Sequence, residues 1–303
     1  MHPDSSSSRH VPRQPIVVGY DGSPSSRLAA AWAATEAATT NTPLRLAHVQ
    51  RWPLPELRGL DLPHVARNVD HARQAASDVL AAGVQRCREM APTVDVRGTA
   101  LVGRPVDLLT KLAADASLVV VGASGQTGAP QVLLGSAAAE LTRRTRTPVA
   151  VIRSLTTGSG GARPVVIGVD GSTGSAAALE AGFDHAARRG LDVVAVHSWS
   201  DLPLETLGTV GAVFDPDRAQ QDAAALLTEQ LAGVRHRYPG VRVREVVRLD
   251  RPAKVLLDHA AEAALLVVGR HGRAEGSQGS DTPLGSVCHA VLHYAPCPVL
   301  LAA

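Results

Sequence analysis

The chain has 303 residues, a formal net charge of +2 and 3% aromatic residues. So small a charge provides no broad basic field, and so few aromatics provide no base-stacking platform, so a nucleic-acid partner is not expected. No apolar run reaches the ~18 residues of a membrane span, the N-terminus shows no signal-peptide apolar core, and Cys87, Cys288 and Cys297 form neither a CxxC pair nor a disulfide framework; a reduced, cytoplasmic protein is the expectation.

Taken in chain order, residues 1–14, with serine at 5 to 8, read as a disordered tail. Strands are expected at Ile16–Gly19, Leu44–Val49, Asp95–Leu101, Leu118–Gly122 and Val149–Ile152. Most are continuous apolar runs, as buried parallel strands are, whereas the third alternates and belongs nearer an edge. Ser23 followed by Pro24 starts a helix, which carries Leu28, Ala31, Trp32 and Thr35 at helical spacing. Small polar residues and glycines at 154–163 read as a flexible linker. The pattern then repeats, with strands at Val165–Gly168, Asp192–His197, Arg242–Leu249, Leu265–Gly269 and Val299–Leu301, and with Gly190 closing the first helix of this half.

The two halves are copies. Pro15-Ile16-Val17-Val18-Gly19-Tyr20-Asp21-Gly22-Ser23 matches Pro164-Val165-Val166-Ile167-Gly168-Val169-Asp170-Gly171-Ser172, and Ala47-His48-Val49 matches Val196-His197-Ser198. Val102-Gly103-Arg104-Pro105 and Thr147-Pro148-Val149 find partners in Leu249-Asp250-Arg251-Pro252 and Cys297-Pro298-Val299, all at an offset of 147 to 150 residues. Domains at 15–153 and 164–303 follow, each long enough to bury a core of its own. Alternating strands and helices give each domain a doubly wound α/β fold, with ligands expected outside the strand C-termini where strand order reverses.

Two glycine loops stand at that place. Gly122-Ala123-Ser124-Gly125 is followed after nine residues by Gly135-Ser136, and Gly269-Arg270-His271-Gly272 after twelve by Gly285-Ser286. Each runs from an apolar strand into the start of a helix. Bare backbone N–H groups and the positive end of a helix suit a phosphate. Asp21 is open to two readings, a ligand contact or simply the turn before the helix, and Ser136 to a helix cap or a phosphate contact.

These pieces together resemble the universal stress protein family in its tandem, actinobacterial form. The resemblance covers almost all of both halves. It implies a five-stranded parallel sheet in each domain, flanked by helices in the manner of adenine nucleotide alpha hydrolases. It also implies ATP, with or without Mg2+, at the C-terminal edge. Positions matching the family's site in the first domain are Gly19, Asp21, Val49, Gly103, Gly122, Gly125, Gln126, Thr127, Gly128, Gly135, Ser136 and Ala137. Asp21 would meet adenine or the ribose edge, Val49 would line the adenine, Gly103 would lie near the ribose, and the loop would surround the phosphates. In the second domain they are Gly168, Asp170, Gly269, Arg270, His271, Gly272, Arg273, Gly285, Ser286 and Val287, with Asp201 as an added contact. The resemblance further implies antiparallel pairing of the two domains through their final strands; whether two chains also form a homodimer stays open, and a protein partner is expected without an identity.

The second domain departs from the pattern. Asp250 replaces the glycine near the ribose, the loop is three residues longer, and Asp281 in that insertion adds negative charge. Arg270, His271 and Arg273 would add cationic donors that offset it. No catalytic residue is assigned, because the P-loop, dinucleotide, kinase and Gly-x-Ser-x-Gly signatures are all missing from the sequence. No metal ligand is assigned either: among Cys288, His289, His293 and Cys297, Pro296 breaks the helix before Cys297, and no carboxylate completes a tetrahedral set. The expectation is a nucleotide-dependent regulator of stress response or growth without fast catalysis. The alternatives are a slow ATPase or nucleotidyl-transfer enzyme, and a structural dimerisation module that binds no nucleotide.

Overall fold

The computed structural model describes residues 13–50, 63–124, 134–154, 162–198, 215–272 and 284–303. Strands β1 (Ile16–Gly19), β2 (Leu44–Gln50), β3 (Val96–Val102), β4 (Leu118–Gly122) and β5 (Val149–Ile152) alternate with helices α1 (Pro24–Thr40), α2 (Pro63–Met90), α3 (Pro105–Ala113) and α4 (Ser136–Arg144). The second half repeats the series with β6 (Val165–Gly168), α5 (Thr173–Arg189), β7 (Val193–Ser198), α6 (Pro216–Arg237), β8 (Val243–Arg248), α7 (Pro252–Ala260), β9 (Leu265–Gly269), α8 (Ser286–Tyr294) and β10 (Val299–Ala302).

The ten strands among the described residues form one sheet, in the order β3-β2-β1-β4-β5-β10-β9-β6-β7-β8. Pairing is parallel within each half and antiparallel at the centre, where Val299, Leu300 and Leu301 face Val151, Ala150 and Val149. The expected pairing of the final strands is therefore present within the chain. The alternating strands β3 and β8 are the two edges of the sheet, as their pattern predicts. Because the halves meet antiparallel, their strand C-termini point in opposite directions. The two reversal points, β1/β4 and β6/β9, consequently open at opposite ends of the sheet.

The helix boundaries follow local chemistry. Ser23 caps α1 by accepting from the Ser26 N–H, with proline at the first helical position, and Asn41 ends it in the left-handed region at φ 49°. Ser172 and Gly190 do the same for α5. The buried face of α1 differs from the expected stripe. Ala29, Ala30, Ala33, Ala34 and Ala37 are buried, while Leu28, Ala31 and Trp32 are only half-buried and Thr35 is exposed. Alanine lets the helix lie close on the sheet, and the bulkier residues are turned to its flank.

The core is shared between the halves. One apolar layer includes Val18, Ala33, Leu46 and Ile152 with Ile167, Phe183, Leu227 and Leu265. The layer on the other face of the sheet includes Val17, Val119, Leu141 and Val151 with Val166, Val268, Leu292 and Leu301. The expectation of one core per domain gives way to two layers that run through both. The reason is the central β5–β10 pair, which makes the sheet faces continuous.

A buried ion cluster crosses the same junction. Glu36 on α1 is 6% exposed and accepts from Arg189 on α5 at 2.8 Å, with His185 Nδ1 at 3.3 Å. The His185 ring stacks on Trp32 with centroids 6.2 Å apart. Burial alone would raise the Glu36 pKa; the hydrogen bond and charge of His185, then the charges of Arg189 and Arg188, outweigh it and hold it below its ordinary value. Glu36→Ala leaves the half-buried Arg189 without its partner, and a loss of about 3 kcal/mol is expected in denaturant unfolding. With its pKa lowered on folding, Glu36 stabilises the fold above the ordinary value of 4.5, and that stability is lost as pH falls through the lowered one. In Glu36→Gln this acid-limb dependence should shrink in a melting-temperature series; an unchanged series would remove Glu36 as its source.

Candidate functional site

The first crevice is assembled at the C-terminal ends of β1, β2 and β4. Its cavity is about 420 Å³ and is lined by Gly19, Asp21, Val49, Gly122, Gly135, Ser136 and Ala137 among others. These seven residues line one cavity. Gly103 lies beside it, next to the lining residues Arg104 and Pro105, in a turn at φ 154° whose N–H donates to Gln50 O at 3.0 Å. Gly125, Gln126, Thr127 and Gly128 lie outside the described residues. The base of the cavity is apolar, with Ala47, Val106, Leu109 and Val121.

The second crevice is smaller, about 260 Å³, and is lined by Gly168, Asp170, Gly269, His271, Gly272, Gly285, Ser286 and Val287 together with Ser198, Pro252 and Cys288. Arg273, Asp201 and the insertion with Asp281 lie outside the described residues. Asp250 does not line the cavity. Its carboxylate accepts from the Arg251 N–H at 2.7 Å and from Lys254 Nζ at 2.5 Å, and these two contacts hold its pKa below the usual value. The charge expected near the ribose is therefore paired on the first turn of α7.

Arg270 is also not where its neighbours suggest. Its guanidinium leaves the crevice, crosses to the first half and donates to Thr142 O and, at 3.3 Å, to Thr147 O. It therefore supplies no donor to the second crevice from this position. His271 does remain in the cavity wall, and its buried Nε2 has no hydrogen-bond partner among the described residues.

Asp21 and Asp170 make the same turn. Each Oδ1 accepts a backbone N–H two residues on, from Ser23 and Ser172, at 2.9 Å. Gly22 and Gly171 follow at φ 77° and 79°, a conformation that only glycine adopts without strain. The turn reading of Asp21 is thus realised, while the residue also lines the cavity. His48 and His197, not singled out from sequence as site residues, brace this turn from the second strand of each half. Their Nδ1–H groups donate to Tyr20 O at 2.9 Å and Val169 O at 2.7 Å, which fixes the tautomer because a carbonyl only accepts. Their occurrence at matched positions of the repeat was the signal available.

The loop glycines have two separate tasks. A Cβ on Gly122 would sit 2.4 Å from Ser25 Oγ and 2.7 Å from the Ser25 carbonyl carbon; one on Gly269 would meet the Gly174 backbone at 2.4 Å. Gly122 and Gly269 therefore allow the first helix of each half to touch the end of the fourth strand. Gly135 and Gly285 are the N-caps of α4 and α8, and neither helix has a side-chain cap. Ser136 is the first helical residue and not the cap. The capped α1 and α5 begin at the same rims; α3 and α7, which start with a proline at Pro105 and Pro252, also lack side-chain caps, and α4 and α8 start with glycine caps that leave three first-turn N–H groups to the crevices.

Among the described residues no helix is long and apolar enough to cross a membrane. The sequence profile of the Universal stress protein family matches residues 12–153 and again 161–303. Universal stress protein Rv2005c of Mycobacterium tuberculosis is 39% identical over 300 residues, spanning 95% of this chain and 96% of that one. Universal stress protein Rv1996 of the same organism is 36% identical over 301 residues, spanning 95% and 94%. In fold, the chain is similar to a universal stress protein from Archaeoglobus fulgidus, with a TM-score of 0.67 at 17% identity over 95% of this chain and 98% of that one. With two profile matches in tandem and relatives aligned over nearly their whole length, the chain belongs to the universal stress protein family.

Proposed function

We propose that the chain binds ATP in both crevices and acts as a nucleotide-dependent regulator of stress response or growth, without fast catalysis. The observation that carries the reading is the glycine-capped starts of α4 and α8. The first-turn N–H groups of α4 and α8 open at Gly135–Ser136 and Gly285–Ser286, on the walls of the two cavities. Phosphate oxygens would satisfy those groups and gain the helix dipole. The orphaned His271 Nε2 offers the second crevice a further polar contact. Opposite, the apolar base of the first cavity fits a purine ring. Mg2+ would arrive with the nucleotide; its chemistry there would be charge neutralisation between phosphates.

The side chains favour holding over cutting. The carboxylate of Glu140 on the first cavity wall is engaged by Arg144 at 3.0 Å, and Asp21 accepts within its own turn. The regulatory part of the proposal rests on family membership.

Denaturing the purified protein and quantifying released nucleotide should give ATP at one per crevice. Mostly ADP or AMP would point to slow hydrolysis, and no nucleotide together with no binding of added ATP would overturn the reading. Asp21→Asn is the informative substitution at the first site. Asn keeps the oxygen that caps the turn but replaces the second acceptor with a donor and removes the charge. ATP affinity should weaken by about 1.5–3 kcal/mol with the fold retained, as measured by titration calorimetry. Unchanged affinity would take Asp21 out of the site. Gly122→Ala should instead destabilise the fold itself by about 1–3 kcal/mol, because its Cβ would meet Ser25 backbone that cannot yield. An unaltered melting temperature would contradict that packing role.

A further inference from the structure

The two crevices open at opposite ends of the sheet, yet the helices that start at them are fastened to the opposite half. Arg270 belongs to the β9 loop of the second crevice. It is 9% exposed, and its guanidinium caps the C-terminal end of α4 through Thr142 O and holds Thr147 O just beyond. The N-terminal end of α4 is the wall of the first crevice. A reciprocal grip holds α8, which starts at the second crevice: Arg153, just past β5, donates to Leu292 O at 2.9 Å. His293 on the last turn of α8 accepts through Nδ1 from the N–H of Leu134, the residue before the Gly135 cap of α4, at 3.4 Å. Burial, then the charges of His289 and Arg153, lower the His293 pKa, which keeps that nitrogen able to accept.

The Arg270 loop is also bound to its own crevice. Cys288, on the first turn of α8, donates through Sγ to Gly269 O at 2.8 Å and Arg270 O at 3.3 Å. A continuous series of hydrogen bonds thus leads from the first-crevice end of α4, along a helix of nine residues, through Arg270 to the second-crevice end of α8. At 1.5 Å per residue that helix spans roughly 13 Å, short and regular enough to move as one body.

We infer that the crevices are coupled through Arg270 and the two terminal helices, so that fixing α4 at one crevice fixes residues 269–272 at the other. The inference rests on the proposed reading of the crevices as ATP sites only for the identity of the ligand. A first ATP that fixes α4 also fixes the carbonyls holding Arg270, and the second then meets residues 269–272 already held in place, which is positive cooperativity. Linkage makes the effect equal in both directions.

Two measurements on the full chain test it. In amide hydrogen exchange without nucleotide, Arg270→Met should raise exchange several-fold at Gly135 and Ala139, whose N–H groups bond Ala123 O and Gly135 O at the far end of α4, with α2 and α6 unchanged. Changes confined to 142–147 and 270–272 would overturn the coupling. If Arg270→Met does not fold, Arg270→Lys, which keeps the charge but cannot bridge two carbonyls, gives the same readout. In ATP titration calorimetry, the wild type should bind its second ATP at least about 5-fold more tightly than its first, after statistical correction, and Arg270→Met should show independent sites. Independent sites in the wild type would overturn the coupling. Failure of ATP to bind at all would instead sink the nucleotide reading, and the exchange data alone would then decide the coupling.

Discussion

The antiparallel pairing of β5 with β10 is the constraint from which the rest of the architecture follows. Each half brings a sheet with one bare edge next to its fourth strand, and an unpaired edge of Val149–Ile152 or Val299–Ala302 would leave buried backbone groups unsatisfied. Pairing the two edges removes that cost and fuses the apolar faces above and below. It also places the crevices at opposite ends of the sheet and brings α1 against α5, so that Glu36, Arg189 and His185 meet in a place from which water is largely excluded.

Within this frame the crevices are similar but not equivalent. Both have an Asp-Gly turn held by a histidine from the neighbouring strand, and both have a helix that starts at a glycine cap. They differ where a side chain has replaced a small one. His271 stands at the position of Ser124 and Cys288 at that of Ala138, and the second cavity is the smaller. Duplication has kept the backbone machinery and let the wall diverge.

Elements governed by neighbouring residues were legible in the sequence. The apolar runs at Ile16–Gly19 and Leu118–Gly122, the Ser-Pro start of α1, the terminal Gly190 and the edge positions of β3 and β8 all follow from local pattern. So does the gathering of Asp21, Gly122 and Gly135, because strand C-termini in a doubly wound sheet converge. Arg270 was not legible. Beside two glycines it reads as a phosphate donor, but its acceptors are Thr142 and Thr147, on the far side of the junction. Asp250 was misread for a different reason. Lys254, four residues on in the first turn of α7, is a sequence-visible partner for the carboxylate just before that helix, and it pairs with the charge expected in the crevice.

The order of the strands in space differs from their order in the chain, and this shapes how the sheet can be completed. β10 follows the other nine described strands in the chain, yet it fills the centre, between β5 and β9. Until it arrives, two apolar edges wait side by side with open N–H and C=O groups. Such edges are templates for pairing with a neighbouring chain. The final strand is therefore a closing piece as well as a connector, and the interval before it docks is the time of greatest exposure to aggregation and strand exchange during synthesis.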